Sequence, residues 1–215
     1  MIIDGKNDSI WVRIPKTAGV SIKNELASKE SIFTNDKKIV THCSSENKIR
    51  VSQINGFHSS LAAYHKELIG KTNWNKLFRF TFVRNPFCRA VSSWKFGGWG
   101  KKWNCNFKEF AEHIKNQNLT NPNEWNQLGW HSCLQYPHIY TDSRECLVDF
   151  IGKFENLQED FNIVCDKIGI PKQQIPHKNK RKHKHYTEYY DDETRKIVAE
   201  KYANDIEYFG YEFGE

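Results

Sequence analysis

The chain has 215 residues, 38% hydrophobic and 27% charged, with a formal net charge of +6; that is enough for one domain spanning 1–215 with a core of its own, and no second domain is required. No apolar run approaches membrane-spanning length, and Met1-Ile-Ile-Asp-Gly-Lys-Asn-Asp8 turns polar too early for a signal peptide, so a soluble, cytoplasmic protein without a membrane segment is expected. The basic balance suits polyanionic ligands and a generic basic surface equally. The six cysteines lack C-x-x-C or metal-ligand spacing, so reduced thiols are expected and a zinc site is not, with a disulfide among Cys105, Cys133 and Cys146 left open.

Ile10 to Ile14 is rich in Trp, Val and Ile and too short for a helix, which reads as a buried strand. Pro15 ends it. Lys16, Thr17, Ala18, Gly19, Val20 and Ser21 then supply a cation, two hydroxyls and a residue without a Cβ, just before a helix expected from Val20 to about Ala27. Such a turn offers free N–H groups and the positive end of a helix dipole to an anion, and is read as a phosphate cradle. It is not the G-x-x-x-x-G-K-S/T loop of nucleoside-triphosphate binders. Further on, Ile39-Val-Thr-His42 is a candidate strand, and Leu61 to Ile69 has helical spacing with Ser59 or Ser60 as cap, which stands His58 at a strand-to-helix junction. Phe80-Thr-Phe-Val83 is a second buried strand. It leads into Arg84-Asn-Pro-Phe-Cys-Arg89-Ala-Val-Ser92, where Pro86 suits the first turn of a helix. Arg84 then sits at the strand's end and Ser92 about two turns into the helix, a pair able to bind a second phosphate.

The chain becomes aromatic after Ser92. Phe107, Phe110, Ala111 and Ile114 have the spacing of a buried helix face. Gly97-Gly-Trp-Gly100 puts Trp99 on a loop; Trp99 and Trp103 suit stacking on a sugar or aryl acceptor and core filling equally. Val148 to Phe154 reads as a strand, followed by a helix capped by Asn156, with Leu157, Phe161, Val164, Cys165 and Ile168 inside and Gly169 and Pro171 at its end. Pro176 to His185 is the most basic run, and the last helix is expected from about Asp192 to Tyr208. Strands alternating with helices define an α/β domain, a mostly parallel central sheet flanked by helices, with ligands at the carboxyl ends of the strands.

The stretches Arg13-Ile-Pro-Lys-Thr-Ala-Gly-Val-Ser21 and Phe82-Val-Arg-Asn-Pro-Phe-Cys-Arg-Ala-Val-Ser92 resemble the paired motifs of sulfotransferases that use 3′-phosphoadenosine 5′-phosphosulfate (PAPS), in particular the carbohydrate branch. Asp149 to Leu157 and Asp205 to Phe213 extend the resemblance over most of the chain. It implies the P-loop-like sulfotransferase fold and PAPS as cofactor, with no metal. Arg13, Lys16, Thr17, Ala18, Gly19, Val20 and Ser21 would hold the 5′-phosphosulfate; Arg84 and Ser92 would hold the 3′-phosphate. Val20 departs from the family's usual Thr and leaves only its N–H at that position. The resemblance also implies that the basic run closes over the nucleotide, with one or two of Arg181, Lys182 and Lys184 touching it. Trp130 to Gln135 is similar to a stretch that puts a His and a Gln near the acceptor, which points to His131.

Sulfuryl transfer to a hydroxyl needs a base, and histidine titrates nearest neutrality. His58 lies between the two motifs, where the family's base stands, with His42 and His131 as rivals; Lys16 is the group for charge on the leaving oxygen. The expected partner is a carbohydrate or other hydroxyl-bearing acceptor, not a nucleic acid. Two other readings compete: a P-loop-type kinase, which would demand a fuller phosphate loop and magnesium, and a non-enzymatic polyanion-binding protein built on the basic run and the tryptophans.

Overall fold

A computed structural model describes residues 2–4, 8–26, 31–33, 62–96, 104–117, 131–175 and 184–215. The chain divides into two compact units: Met1–Ile14, Ala18–Val83 and Pro137–His177 form the first, and Pro15–Thr17, Arg84–Tyr136 and Lys178–Glu215 the second.

The first unit is built on a five-stranded sheet in the order β3-β1-β2-β4-β5. Its strands are β1 (Ile2–Asp4), β2 (Ser9–Val12), β3 (Ser31–Phe33), β4 (Phe78–Val83) and β5 (Phe150–Lys153). β2, β4 and β5 run parallel, the expected α/β core, while β1 adds itself antiparallel to β2 and β3 antiparallel to β1. β2 is buried at every position, as befits a parallel strand covered on both faces. Trp11 faces Phe80 across the β2–β4 ladder, and Phe82 lies on the same face one repeat on. Those three rings share a core with Ile22 and Leu26 of helix α1 (Gly19–Leu26) and with Leu157, Phe161, Val164, Cys165 and Ile168 of a later helix, Leu157–Ile168. Between α1 and β4 come α2 (Ala62–Ile69) and the short α3 (Lys71–Trp74).

Polar side chains set the strand register. The Thr81 hydroxyl donates to the Val12 carbonyl at 2.7 Å. The Arg79 N–H and Nε donate to Asp149 Oδ2 at 2.8 and 2.7 Å, and the Asp149 N–H returns a bond to the Arg79 carbonyl. Burial alone would raise the Asp149 carboxyl, but the bonds from Arg79 hold it below its ordinary value. Gly152 lies opposite Phe82 on the β4–β5 ladder, and a Cβ there would stand 2.5 Å from Phe82 Cε1 and 3.2 Å from Asp160 Cβ. Gly152→Ala is therefore expected to destabilise the fold by about 1–3 kcal/mol through overpacking; an unchanged midpoint in urea would contradict this close approach.

The second unit is helical: α4 (Pro86–Phe96), α5 (Phe107–Lys115), α7 (Asp192–Lys201) and α8 (Ala203–Phe209), α6 being the Leu157–Ile168 helix of the first unit. α5 starts with a capping box in which Asn106 accepts from the Glu109 N–H and Glu109 accepts from the Asn106 N–H. Phe107, Phe110 and Ile114 of α5 pack with Phe87, Ala90 and Val91 of α4 and Val198 and Tyr202 near the carboxyl terminus, as their spacing predicts. Two expectations are corrected. The last helix is not continuous, because Tyr202 leaves helical geometry between α7 and α8 while its buried hydroxyl donates to the Ser132 carbonyl at 2.6 Å. Asn156 stands at the N-cap of α6 without a side-chain cap bond; a 3-10 turn, Phe154–Asn156, leads in, and Asp160 accepts instead from the Lys153 N–H at 2.6 Å. Gly169 ends α6 in the left-handed conformation, as expected. Cys88, Cys105, Cys133, Cys146 and Cys165 are free thiols, so the disulfide left open is not formed.

Candidate functional site

The first motif begins where β2 ends. Lys16 and Ala18 both have positive φ, 70° and 64°, a costly conformation for residues with a Cβ. Sign alternation along a backbone turns successive N–H groups toward one side and makes an anion nest. α1 follows at once, and its first internal bond runs from the Ile22 N–H to the Ala18 carbonyl. The N–H groups of Gly19, Val20 and Ser21 therefore precede any intrahelical acceptor. Val20, at the second position of α1, is 54% exposed, so the place where the family's hydroxyl would stand faces outward. Arg13 lies over this helix start: a Cβ on Gly19 would come within 2.6 Å of Arg13 Nε. A cation, a helix N-terminus and a nest at one place form a donor set that fits an anion such as a phosphosulfate. Gly19→Ala is expected to push the Arg13 side chain aside and to weaken anion binding about tenfold, since a charge-assisted bond is worth about 1.5–3 kcal/mol; titration with 3′-phosphoadenosine 5′-phosphate (PAP) checks this, and undiminished affinity would contradict it.

In the second unit, the residue before α4 is made ready differently. Asn85 is buried and its Oδ1 accepts from the Phe87 N–H at 3.0 Å, capping α4, while its Nδ2 donates to the Glu212 carbonyl at 2.8 Å. With that N–H taken, the donors left here are mainly side chains. Arg84 Nη2 reaches Cys88 Sγ at 3.0 Å and Nη1 donates to the Lys16 carbonyl at 3.2 Å. Cys88 and Ser92 are one turn apart on the same face of α4, so the guanidinium lies along the face that carries the half-buried Ser92. The Lys16 ammonium sits 3.7 Å above the centre of the Phe96 ring. Phe96 is 63% exposed and meets His131 edge to face at 4.8 Å. The second unit thus brings Lys16, Arg84, Phe96 and His131 into one neighbourhood.

Behind them is a buried cation. Arg89 is 1% exposed; its Nε donates to the Pro15 carbonyl at 2.9 Å and its Nη1 to the Cys133 carbonyl at 2.6 Å. Burial pushes the Cys133 thiol up to about 11, against the pull of Arg89. Asp205 is fully buried as well, and burial pushes its carboxyl up to about 6, against the pull of Arg89 and of the Tyr136 and Gln135 N–H groups. Burial likewise raises the Tyr202 phenol.

Of the candidate residues, Arg13, Ala18, Gly19, Val20 and Ser21 gather at the start of α1, and Lys16, Thr17, Arg84, Ser92 and His131 belong to the second unit, with Thr17 buried. Lys184 is exposed and lies 4.0 Å from Glu188. His58, His42, Trp99, Trp103, Arg181 and Lys182 lie outside the described residues, as does the strand expected at Ile39 to His42. Arg89, Phe96 and Asp205 were given no role by sequence reasoning, and only the position of Arg89 within the second motif could have drawn attention to it; Gln135, which the resemblance put near the acceptor, has its side-chain amide on the main chain of Arg84. No group of His, Cys, Asp and Glu able to hold a metal ion occurs among the described residues.

Two adjacent parallel strands, each leading through a cation-bearing turn into a helix, define an α/β protein. The chain belongs to the sulfotransferase family, which matches residues 1–212. It is also similar to a protein of Archaeoglobus fulgidus described as uncharacterized, 32% identical over 110 residues that make up 49% of this chain and 78% of that protein. No solved structure matches the chain significantly. No described helix is long and apolar enough to cross a membrane.

Proposed function

We propose that the protein transfers a sulfuryl group from PAPS to a hydroxyl, on a carbohydrate in the first instance, and that residues 1–215 act as one sulfotransferase domain. The hydrogen bond from Arg84 to the Lys16 carbonyl supports this reading most, because it joins the cations of two motifs far apart in sequence. When bound, PAPS supplies the sulfuryl group on a phosphosulfate bridge that breaks as the acceptor oxygen bonds to sulfur. The Lys16 ammonium and the N–H groups of Gly19, Val20 and Ser21 stabilise the negative charge that grows on the leaving oxygen. Arg13, Thr17 and Ala18 complete that loop. Arg84 and Ser92 hold the 3′-phosphate, joined by one or two of Arg181, Lys182 and Lys184. His58 takes the proton from the acceptor hydroxyl, and His131, with Trp99 and Trp103, contacts the acceptor. No step requires a metal.

The match of residues 1–212 to a sulfotransferase family favours this reading over a kinase or an inert polyanion binder. The carbohydrate acceptor follows from the resemblance of the two motifs to the carbohydrate branch. Incubation with PAPS and a panel of oligosaccharides, phenols and lipids tests it: PAP and a sulfated oligosaccharide should appear together in equal amounts. Sulfation confined to phenols or lipids would overturn the carbohydrate assignment, and PAP release with no sulfated product would overturn the transfer.

A further inference from the structure

We infer that Gln135 is a positioning residue for Arg84, and that it sets how strongly the protein distinguishes a nucleotide bearing a 3′-phosphate from one without. This rests on the PAPS reading given above. β4 ends at Val83, and the next residue, Arg84, finds both of its main-chain partners in one side chain: its N–H donates to Gln135 Oε1 at 2.9 Å and its carbonyl accepts from Gln135 Nε2 at 2.8 Å. A single amide thus does for Arg84 what a neighbouring strand would do. Gln135 is fully buried and is itself held. Its N–H donates to both Asp205 oxygens at 2.9 Å, and the Tyr136 N–H donates to Asp205 Oδ1 at 2.9 Å. A carboxylate on α8 therefore fixes the backbone at Gln135, Gln135 fixes the peptide of Arg84, and the Arg84 guanidinium is left aimed at Cys88 and the Lys16 carbonyl. A buried polar chain of this kind is costly unless every member is satisfied. An apolar side chain would fill the space as well, but would leave the direction of Arg84 unset.

The test is the ratio of the dissociation constants for adenosine 5′-phosphate (AMP) and PAP, measured by calorimetry on the full chain for the wild type, Gln135→Leu and Gln135→Glu. That ratio reads the 3′-phosphate contact alone, and a merely structural weakening would leave it unchanged. Loss of two hydrogen bonds that fix Arg84 should lower the ratio about tenfold in Gln135→Leu, with the AMP constant within about twofold of wild type. Gln135→Glu, the isosteric variant, keeps the acceptor for the Arg84 N–H but sets an oxygen against the Arg84 carbonyl; it should lower the ratio too and serves if the leucine variant does not fold. A wild-type ratio in either folded variant would overturn the inference and leave the cofactor reading standing. A wild type that does not distinguish PAP from AMP would overturn both.

Discussion

Lys16→Ala is expected to lower the rate of sulfuryl transfer about 100-fold or more, the range found when a donor to a developing oxyanion is removed. The substitution isolates the ammonium. Lys16 has φ 70°, and alanine meets the same steric penalty there as lysine, whereas glycine would relax the loop and change two things at once. Stability should change little, because the contact with Phe96, whose ring is 63% exposed, is a cation–π pair worth about 0.5–1 kcal/mol at exposed sites. Lys16→Arg should recover part of the rate, since charge is kept but the compact ammonium is not. Initial rates of PAP release with a sulfated acceptor as co-product give the comparison. A Lys16→Ala rate equal to wild type would remove Lys16 from the transfer step.

Arg89→Met is expected to destabilise the protein by about 3–5 kcal/mol, as loss of one partner from a buried charge cluster does. Methionine fills much of the same volume but donates nothing. The Pro15 and Cys133 carbonyls would lose their donors, and Asp205 would lose the nearby positive charge that opposes the effect of its burial. Arg89→Lys should be nearly as damaging, because one ammonium cannot reproduce a planar fork that bonds two separate carbonyls. The double variant Arg89→Met, Asp205→Asn should be less unstable than the two single losses added, since both charges leave together. Urea unfolding of the wild type, Arg89→Met, Arg89→Lys, Asp205→Asn and the double variant measures all of this. An Arg89→Met midpoint matching wild type would mean that Arg89 is not the anchor of Pro15.

Much of this was legible locally. Pro15 after an apolar run and Pro86 at the first turn of α4 marked both strand-to-helix turns, and Phe107, Phe110 and Ile114 marked the buried face of α5 by their spacing. What stayed hidden depends on partners distant in sequence. Tyr202 breaks the last helix while bonded to Ser132, Asp205 is spent on Gln135 and Tyr136, and Arg89 serves Pro15 rather than a ligand. No local pattern announces such pairs. β1 and β3 are three residues each, too short for a period-two signal, and they lie antiparallel beside the parallel strands the pattern did reveal. In the candidate site, sequence pointed to Lys16 and Arg84 but could not say that Arg84 would bond to the Lys16 carbonyl, or that Phe96 would lie beneath the Lys16 ammonium.

If, as proposed, the two cation-bearing turns read the two ends of one nucleotide, ligand-induced thermal stabilisation will show it. The wild-type protein is melted with PAP, AMP, ADP or ATP-magnesium at equal concentrations, because a ligand that binds the native state raises its stability with occupancy. PAP should raise the midpoint well above the other three. No response to PAP, or a larger one to ATP-magnesium, would contradict it and return the protein to the kinase or polyanion-binding readings.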